Sequence, residues 1–243
     1  MKTKINQFFA FAMLGFVAVF AGSCAHNSVR MTGNEIEKNF EVTNFTKIEI
    51  SGAYEILLIK GDKPGVSITG DEAIFDLLEV KVTGSVLKIE HTEKVNFNDF
   101  DSPVIRITYT SLSGFEMAGA GDIKCNDTLT FDEFNLSIAG ACQVDLMLNG
   151  NRLVTETSGA SNLVFKGNVN TAHFELAGAG AIEAFELLSK NCKVELSGVG
   201  AAEVFASESI DVSIAGVGSV EVKGKPKNVT QDIVPFGKLT IIE

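Results

Sequence analysis

The stretch FELAGAGAIEA, Phe174 to Ala184, decides how this chain is read. A glycine-rich run can cradle an anion when it joins a strand to a helix and turns several backbone N–H groups inward. The residues around this one alternate instead. Phe174, Leu176, Ile182 and Ala184 are apolar, and Glu175 and Glu183 stand in the intervening positions. A period of two that persists across the glycines belongs to a strand with one buried face, and no helical period opens after Gly180. The AGAG therefore lies inside extended backbone, where glycine marks a bend or a close approach by another segment. A phosphate loop is excluded.

The same pattern recurs at Gly119 in FEMAGAGDIKC, Gly140 in LSIAGACQVDL, Gly159 in TETSGASNLVF, Gly178, Gly198 in VELSGVGAAEV and Gly216 in VSIAGVGSVEV. The spacings are 21, 19, 19, 20 and 18 residues. Repetition at this period points to a solenoid, whose units bury their apolar faces only by stacking on their neighbours. The positions four and two before each glycine, and four and six after it, are mostly apolar, and the positions between them carry Glu116, Glu156, Glu175, Glu195, Glu183, Glu203 and Glu221. Two strand segments about a glycine column describe the coils of a parallel β-helix. A second column, Gly121, Cys142, Ser161, Gly180, Gly200 and Gly218, is small at every level and is expected where the coil interior narrows. The Gly159 coil departs from the pattern with Thr155 and Thr157, and it is expected to pack less tightly.

The segment from Ile50 to His91, opening ISGAYEILLIKG, followed by repeated GAG and GVG coils, resembles the head GIN domain family of auto-transporter adhesins. The resemblance covers roughly residues 38 to 243 and implies a right-handed β-helix in an envelope lipoprotein. It brings no catalytic residues with it. Residues 45–114 read as an N-terminal capping part of strands, a short helix in DEAIFDLLEV, and a hairpin turning at Thr83 and Gly84. Residues 115–243 read as the repeat itself, continuous with the cap. The C-terminal stretch after Val222, with its lysines and prolines, is expected to block the far end of the stack.

The N-terminus carries Lys2 and Lys4 and then an apolar run from Phe8, ending in AGSC with small residues directly before Cys24. This is an export signal over residues 1–23, and its end resembles a bacterial lipobox, which makes Cys24 the expected lipid attachment site. Residues 24–44 are polar and aperiodic and read as a tether. The expected location is the bacterial cell envelope, anchored by lipid in the membrane, on the outer membrane. Loss of residues 1–23 leaves 18 basic and 31 acidic residues, a net charge of −13. That balance excludes nucleic acid as a partner, because phosphate binding requires clustered Lys and Arg.

Little in the sequence carries chemistry. His26, His91 and His173 have no partners at ligand spacing and read as surface residues, so no metal, cofactor or catalytic group is assigned. Cys125 and Cys142 fall in different columns, and with Cys192 they read as buried free thiols. The stacked carboxylates Glu183, Glu203 and Glu221 read as a solvated acidic face, with cation binding left open. Flanking the first glycine are only small residues, including Ala118, Ala139 and Ala177 before it and Ala120, Ala141, Ala179, Val199 and Val217 after it. A flat stripe of this kind suits docking of an envelope protein, a glycan or a second subunit. The competing expectation is that it lies under the N-terminal segment or turns inward at a corner. The function implied is non-catalytic binding, adhesion-like or scaffolding. The alternative is a carbohydrate-active β-helix enzyme or a polysaccharide-binding protein.

Overall fold

The computed structural model describes residues 32–92 and 102–242, within which there is no α-helix. The N-terminal strands are β1 (Glu35–Phe40), β2 (Lys47–Lys60), β3 (Gly65–Asp71), β4 (Leu78–Thr83), β5 (Val86–His91) and β6 (Val104–Tyr109). They are followed by β7 (Gly114–Cys125), β8 (Leu129–Ala184), β9 (Leu187–Leu196), β10 (Val199–Phe205), β11 (Ser209–Ile214), β12 (Val217–Lys223), β13 (Asn228–Ile233) and β14 (Gly237–Ile241). All belong to one open sheet, along which β1, β3, β6, β2, β7, β8, β10, β12 and β14 are successive neighbours.

Drawn straight at strand rise, β8 would run about 185 Å. It winds instead, because each glycine of the first column comes to rest on the one a period earlier. Gly52, Gly119 and Gly140 are register partners in parallel ladders. In the second column Gly180, Gly200, Gly218 and Gly237 are partners in the same way. The column thus reaches back to Gly52, so β2 is itself a rung and not only part of a cap.

Glycine is required in the first column on two counts. The φ angles of Gly52, Gly119, Gly140, Gly159 and Gly178 lie between 124° and 151°, a region that side chains rarely adopt. A Cβ on Gly140 would also stand 1.8 Å from the carbonyl oxygen of Gly119. The second column is small for a related reason and not because the interior narrows. A Cβ at Gly121, Gly180 or Gly218 would meet the carbonyl oxygen of the neighbouring rung at 2.2, 1.9 and 2.3 Å. Where the backbone gives room, Cys142 and Ser161 bury side chains in the same column.

The inward columns form a continuous apolar core along the stack, from Ile48 and Ile50 to Val220 and Val222. Phe165 and Phe174 stack with centroids 5.9 Å apart. The Gly159 rung is the polar exception, as its sequence implies: Thr155, Thr157 and Ser161 are all buried. Among the described residues, Thr155 Oγ1 and Ser161 Oγ have no hydrogen-bond partner. Each such group costs about 1–3 kcal/mol.

Three expectations are corrected at the ends. Residues 35–40, read as tether, form β1 and pair antiparallel with β3. The expected helix after Asp71 is a single 3-10 turn, Glu72–Ile74, with the Asp71 carboxylate accepting from Ala73 N–H at 2.9 Å. The chain then returns to a period of two at Leu78, Val80 and Val82, which sets β4 against β5 around Gly84 at φ 63°. The C-terminal stretch does not block the stack. It adds another rung, with β13 parallel to β11 and β14 parallel to β12.

Candidate functional site

The outward positions around the glycine column build the site. Parallel register aligns Ser51, Ala118 and Ala139, and likewise Ala53, Ala120 and Ala141. Further along, Ala179, Val199 and Val217 align. All the stripe residues named from sequence are exposed except Ala177, which is half-buried. Among the described residues the stripe is therefore solvent-facing, neither covered by the N-terminal segment nor turned inward at a corner. Alternation along an extended rung is the cause: neighbours of an in-plane glycine must point to the outer face.

The structure extends the stripe by one rung at each end. Ser51 and Ala53 begin it at Gly52. At the other end, the register of Ile214 with Ile233 and of Gly218 with Gly237 puts Pro235 in the place of the glycine, flanked by Val234 and Phe236. Sequence reading missed both rungs. The signal was present in each: Ile48, Ile50, Ile56 and Leu58 occupy the four apolar positions around Gly52, and Pro235 lies 19 residues after Gly216. Eight rungs at strand spacing make a stripe about 34 Å long. It is graded. The position after the glycine is alanine over the first five rungs, then Val199, Val217 and Phe236, exposed by 62, 54 and 76%. One face thus changes from a flat close-approach surface to an apolar ridge.

Beside the alanine portion runs an open groove of about 530 Å³. Its one side is Ala141, Ala160 and Ala179, and its floor is the backbone of the second small column. Its other wall is a polar ladder, in which Glu55, Asp122 and Gln143 are register partners and Asn162 follows one period later. Two carboxylates and two amides thus present hydrogen-bonding groups along the stack axis at strand spacing. Glu55 and Asp122 stand side by side on the same wall. An acid–base pair for glycoside cleavage must instead flank the scissile bond.

The remaining polar residues are structural. Glu183, Glu203 and Glu221 stack in one outward ladder. Among the described residues no three His, Cys, Asp or Glu side chains converge into a metal-sized cluster. His173 Nε2 meets Glu195 Oε2 at 2.6 Å, and Lys193 Nζ meets the same oxygen at 2.9 Å. Lys193, and then His173, hold the Glu195 carboxyl below the usual range. His91 is not the free surface residue its sequence position implies: it is half-buried, stacks on Tyr54, and its Nε2 lies 2.6 Å from the Tyr54 hydroxyl. Cys142 and Cys192 are buried free thiols, and Cys125 is a half-buried one beside the Tyr109 hydroxyl at 3.6 Å. Burial pushes all three thiols up in pKa. His26 and Cys24 lie outside the described residues.

The family model described as "Putative auto-transporter adhesin, head GIN domain" matches residues 44–226. A crystal structure of a protein described as a putative adhesin from Bacteroides fragilis NCTC 9343 superposes with a TM-score of 0.83 at 27% identity, covering 87% of this chain and 99% of that one. A putative lipid binding protein from Parabacteroides distasonis ATCC 8503 gives a TM-score of 0.67 at 22% identity, over 88% and 98% of the two chains. A putative adhesin from Parabacteroides merdae ATCC 43184 gives 0.64 at 20%, over the same shares. The last two show the fold alone. No curated protein matches the chain in sequence.

Proposed function

Because the chain belongs to the head GIN domain family, whose description reads "Putative auto-transporter adhesin", we propose that it is a non-catalytic binding protein of the bacterial envelope, docking a glycan or protein partner along the graded stripe and its groove. The parallel register at about one rung per glycine supports a right-handed β-solenoid, with residues 45–243 acting as one continuous domain. Residues 1–23 serve as signal peptide, Cys24 carries lipid, and the anchor holds the domain at the outer membrane. One observation carries the reading: an outward stripe runs along eight rungs, and its alanine portion lies beside a polar ladder whose two carboxylates, among the described residues, share a single wall. Small side chains let a flat partner approach closely, and the ladder's amides and carboxylates supply orientation.

The test uses the full-length anchored chain, crosslinked in cells. Ala141→Arg with Ala179→Arg fills the groove from an exposed face, so the variant should keep its far-ultraviolet circular dichroism and lose the crosslinked partner. Equal recovery of that partner from the folded double variant refutes the groove as the docking site. Cys24→Ala should move the protein out of the membrane fraction; continued acyl labelling of that variant refutes the anchor.

A further inference from the structure

The two ends of the sheet differ in a way the binding role does not require. β14 pairs only with β12, and β13 only with β11, so the last rung has no strand on its outer side among the described residues. Its inward columns are open as well. Val229 and Ile241 are 45 and 44% exposed, whereas Ile210 and Val222, one rung earlier in the same columns, are at 1 and 0%. An unpaired edge over an uncovered apolar core is a template for another strand.

The opposite end presents a matching edge. β2, β7, β8, β10, β12 and β14 all run parallel. β6 is parallel to β2, β3 is antiparallel to β6, and β1 is antiparallel to β3. β1 therefore runs in the same direction as β14, at the other end of the same path. Over the other half of each rung, β4 ends the N-terminal side two strands from β2, whereas β1 stands three strands from it, so the β1 edge projects one strand beyond β4; β13 ends the C-terminal side below β11. The apolar residues of both N-terminal edge strands, Ile36, Phe40, Leu78, Val80 and Val82, are only partly buried.

Charge selects the pairing. Although the whole chain is at −11, its stretch from Lys223 to Lys238 has Lys223, Lys225, Lys227 and Lys238 against one acid, Asp232. β1 and the residue after it carry Glu35, Glu37 and Glu41 against Lys38. Two C-terminal ends placed face to face would oppose like charges, while a C-terminal end on an N-terminal end opposes unlike ones.

From this we propose that copies of the chain associate head to tail, β14 of one adding in parallel to the projecting β1 of the next, so that one sheet continues through both. Such a contact is heterologous and propagates into rods. The test is sedimentation of the full-length chain in detergent across a concentration series, with electron microscopy of the product. Wild type should form rods that lengthen with concentration and shorten with salt. Lys227→Glu with Lys238→Glu should lower association about tenfold, and Glu35→Lys with Glu41→Lys similarly, each reversal opposing several surface charges. Mixing the two variants should restore alternating rods. In Ile241→Pro the fold's own ladder is kept: Ile242 N–H donates to Val222, so alternation turns the Ile241 N–H outward. Association should stop while the melting curve is held. A monomer at every concentration overturns the proposal. So does an assembly that ignores the Glu35 and Glu41 changes, because contact through C-terminal faces alone would do that.

Discussion

Replacing Gly140 by alanine adds one carbon to a chain of 243 residues, yet the geometry makes it a severe change. The new Cβ would lie 1.8 Å from the Gly119 carbonyl oxygen, where ordinary contact begins at 3.4 Å. Relief requires the two rungs to part by about 1.6 Å locally, which takes hydrogen bonds on both sides of the glycine beyond bonding distance. Two such bonds at about 1 kcal/mol each add to a dihedral cost of about 1–3 kcal/mol at φ 145°. The expected loss is about 3–5 kcal/mol, and hence a melting point lower by roughly 6–20 °C. Gly84→Ala is the control. Its φ of 63° is also positive, but nothing lies within 4 Å of the added carbon, so only the dihedral cost of about 1 kcal/mol applies. Thermal unfolding of both variants by circular dichroism separates the two causes. Equal losses would falsify the carbonyl contact as the origin of the glycine column and leave backbone conformation alone to explain it.

Thr155→Val keeps the shape of a buried side chain and removes a hydroxyl that has no partner, so it should stabilise by about 1 kcal/mol; a lower denaturant midpoint would show that the hydroxyl is satisfied after all. Under native conditions Cys125 should alkylate before Cys142 and Cys192, and non-reducing mass spectrometry should find no bond among the three; a linked peptide refutes the column geometry. Burial raises these thiols above their unfolded value, so their share of stability is complete below the ordinary thiol pKa and is lost as pH rises through it; Cys192→Ala should flatten that alkaline decline, and an unchanged decline would assign it to other groups.

The repeating part was legible because each rung solves the same steric problem with the same residue. Gly119 through Gly216 announce themselves at nearly constant spacing, and the apolar columns follow by parity. Gly52 escaped because the strands and hairpin between it and Gly119 interrupt the period, although its own flanking isoleucines fit the pattern. Pro235 escaped because the repeat announces itself through glycine, and a column followed by its glycines stops at Gly216. β1 is hidden in a stretch that looks like tether, since an edge strand with one sheltered side keeps only Ile36 and Phe40 as apolar signal. The helix expected after Asp71 failed because Leu78, Val80 and Val82 gain more from pairing with β5 than an isolated turn gains from its caps. The groove was half legible: its alanines stand in the stripe, but its polar wall emerges only when Glu55 is brought beside Asp122 across 67 residues of chain.

The glycine column also governs how such a chain can change in length. A single inserted residue inside a rung would invert the parity of everything up to the next corner, turning core outward and carboxylates inward. The bends between strands absorb small differences, as the spacings of 18 to 21 residues already show. A whole added or deleted rung disturbs nothing but its two neighbours. Length in this architecture is therefore counted in rungs, and each rung gained lengthens the outward stripe by about 4.8 Å, so the reach of the proposed binding face is set by duplication in steps of one rung.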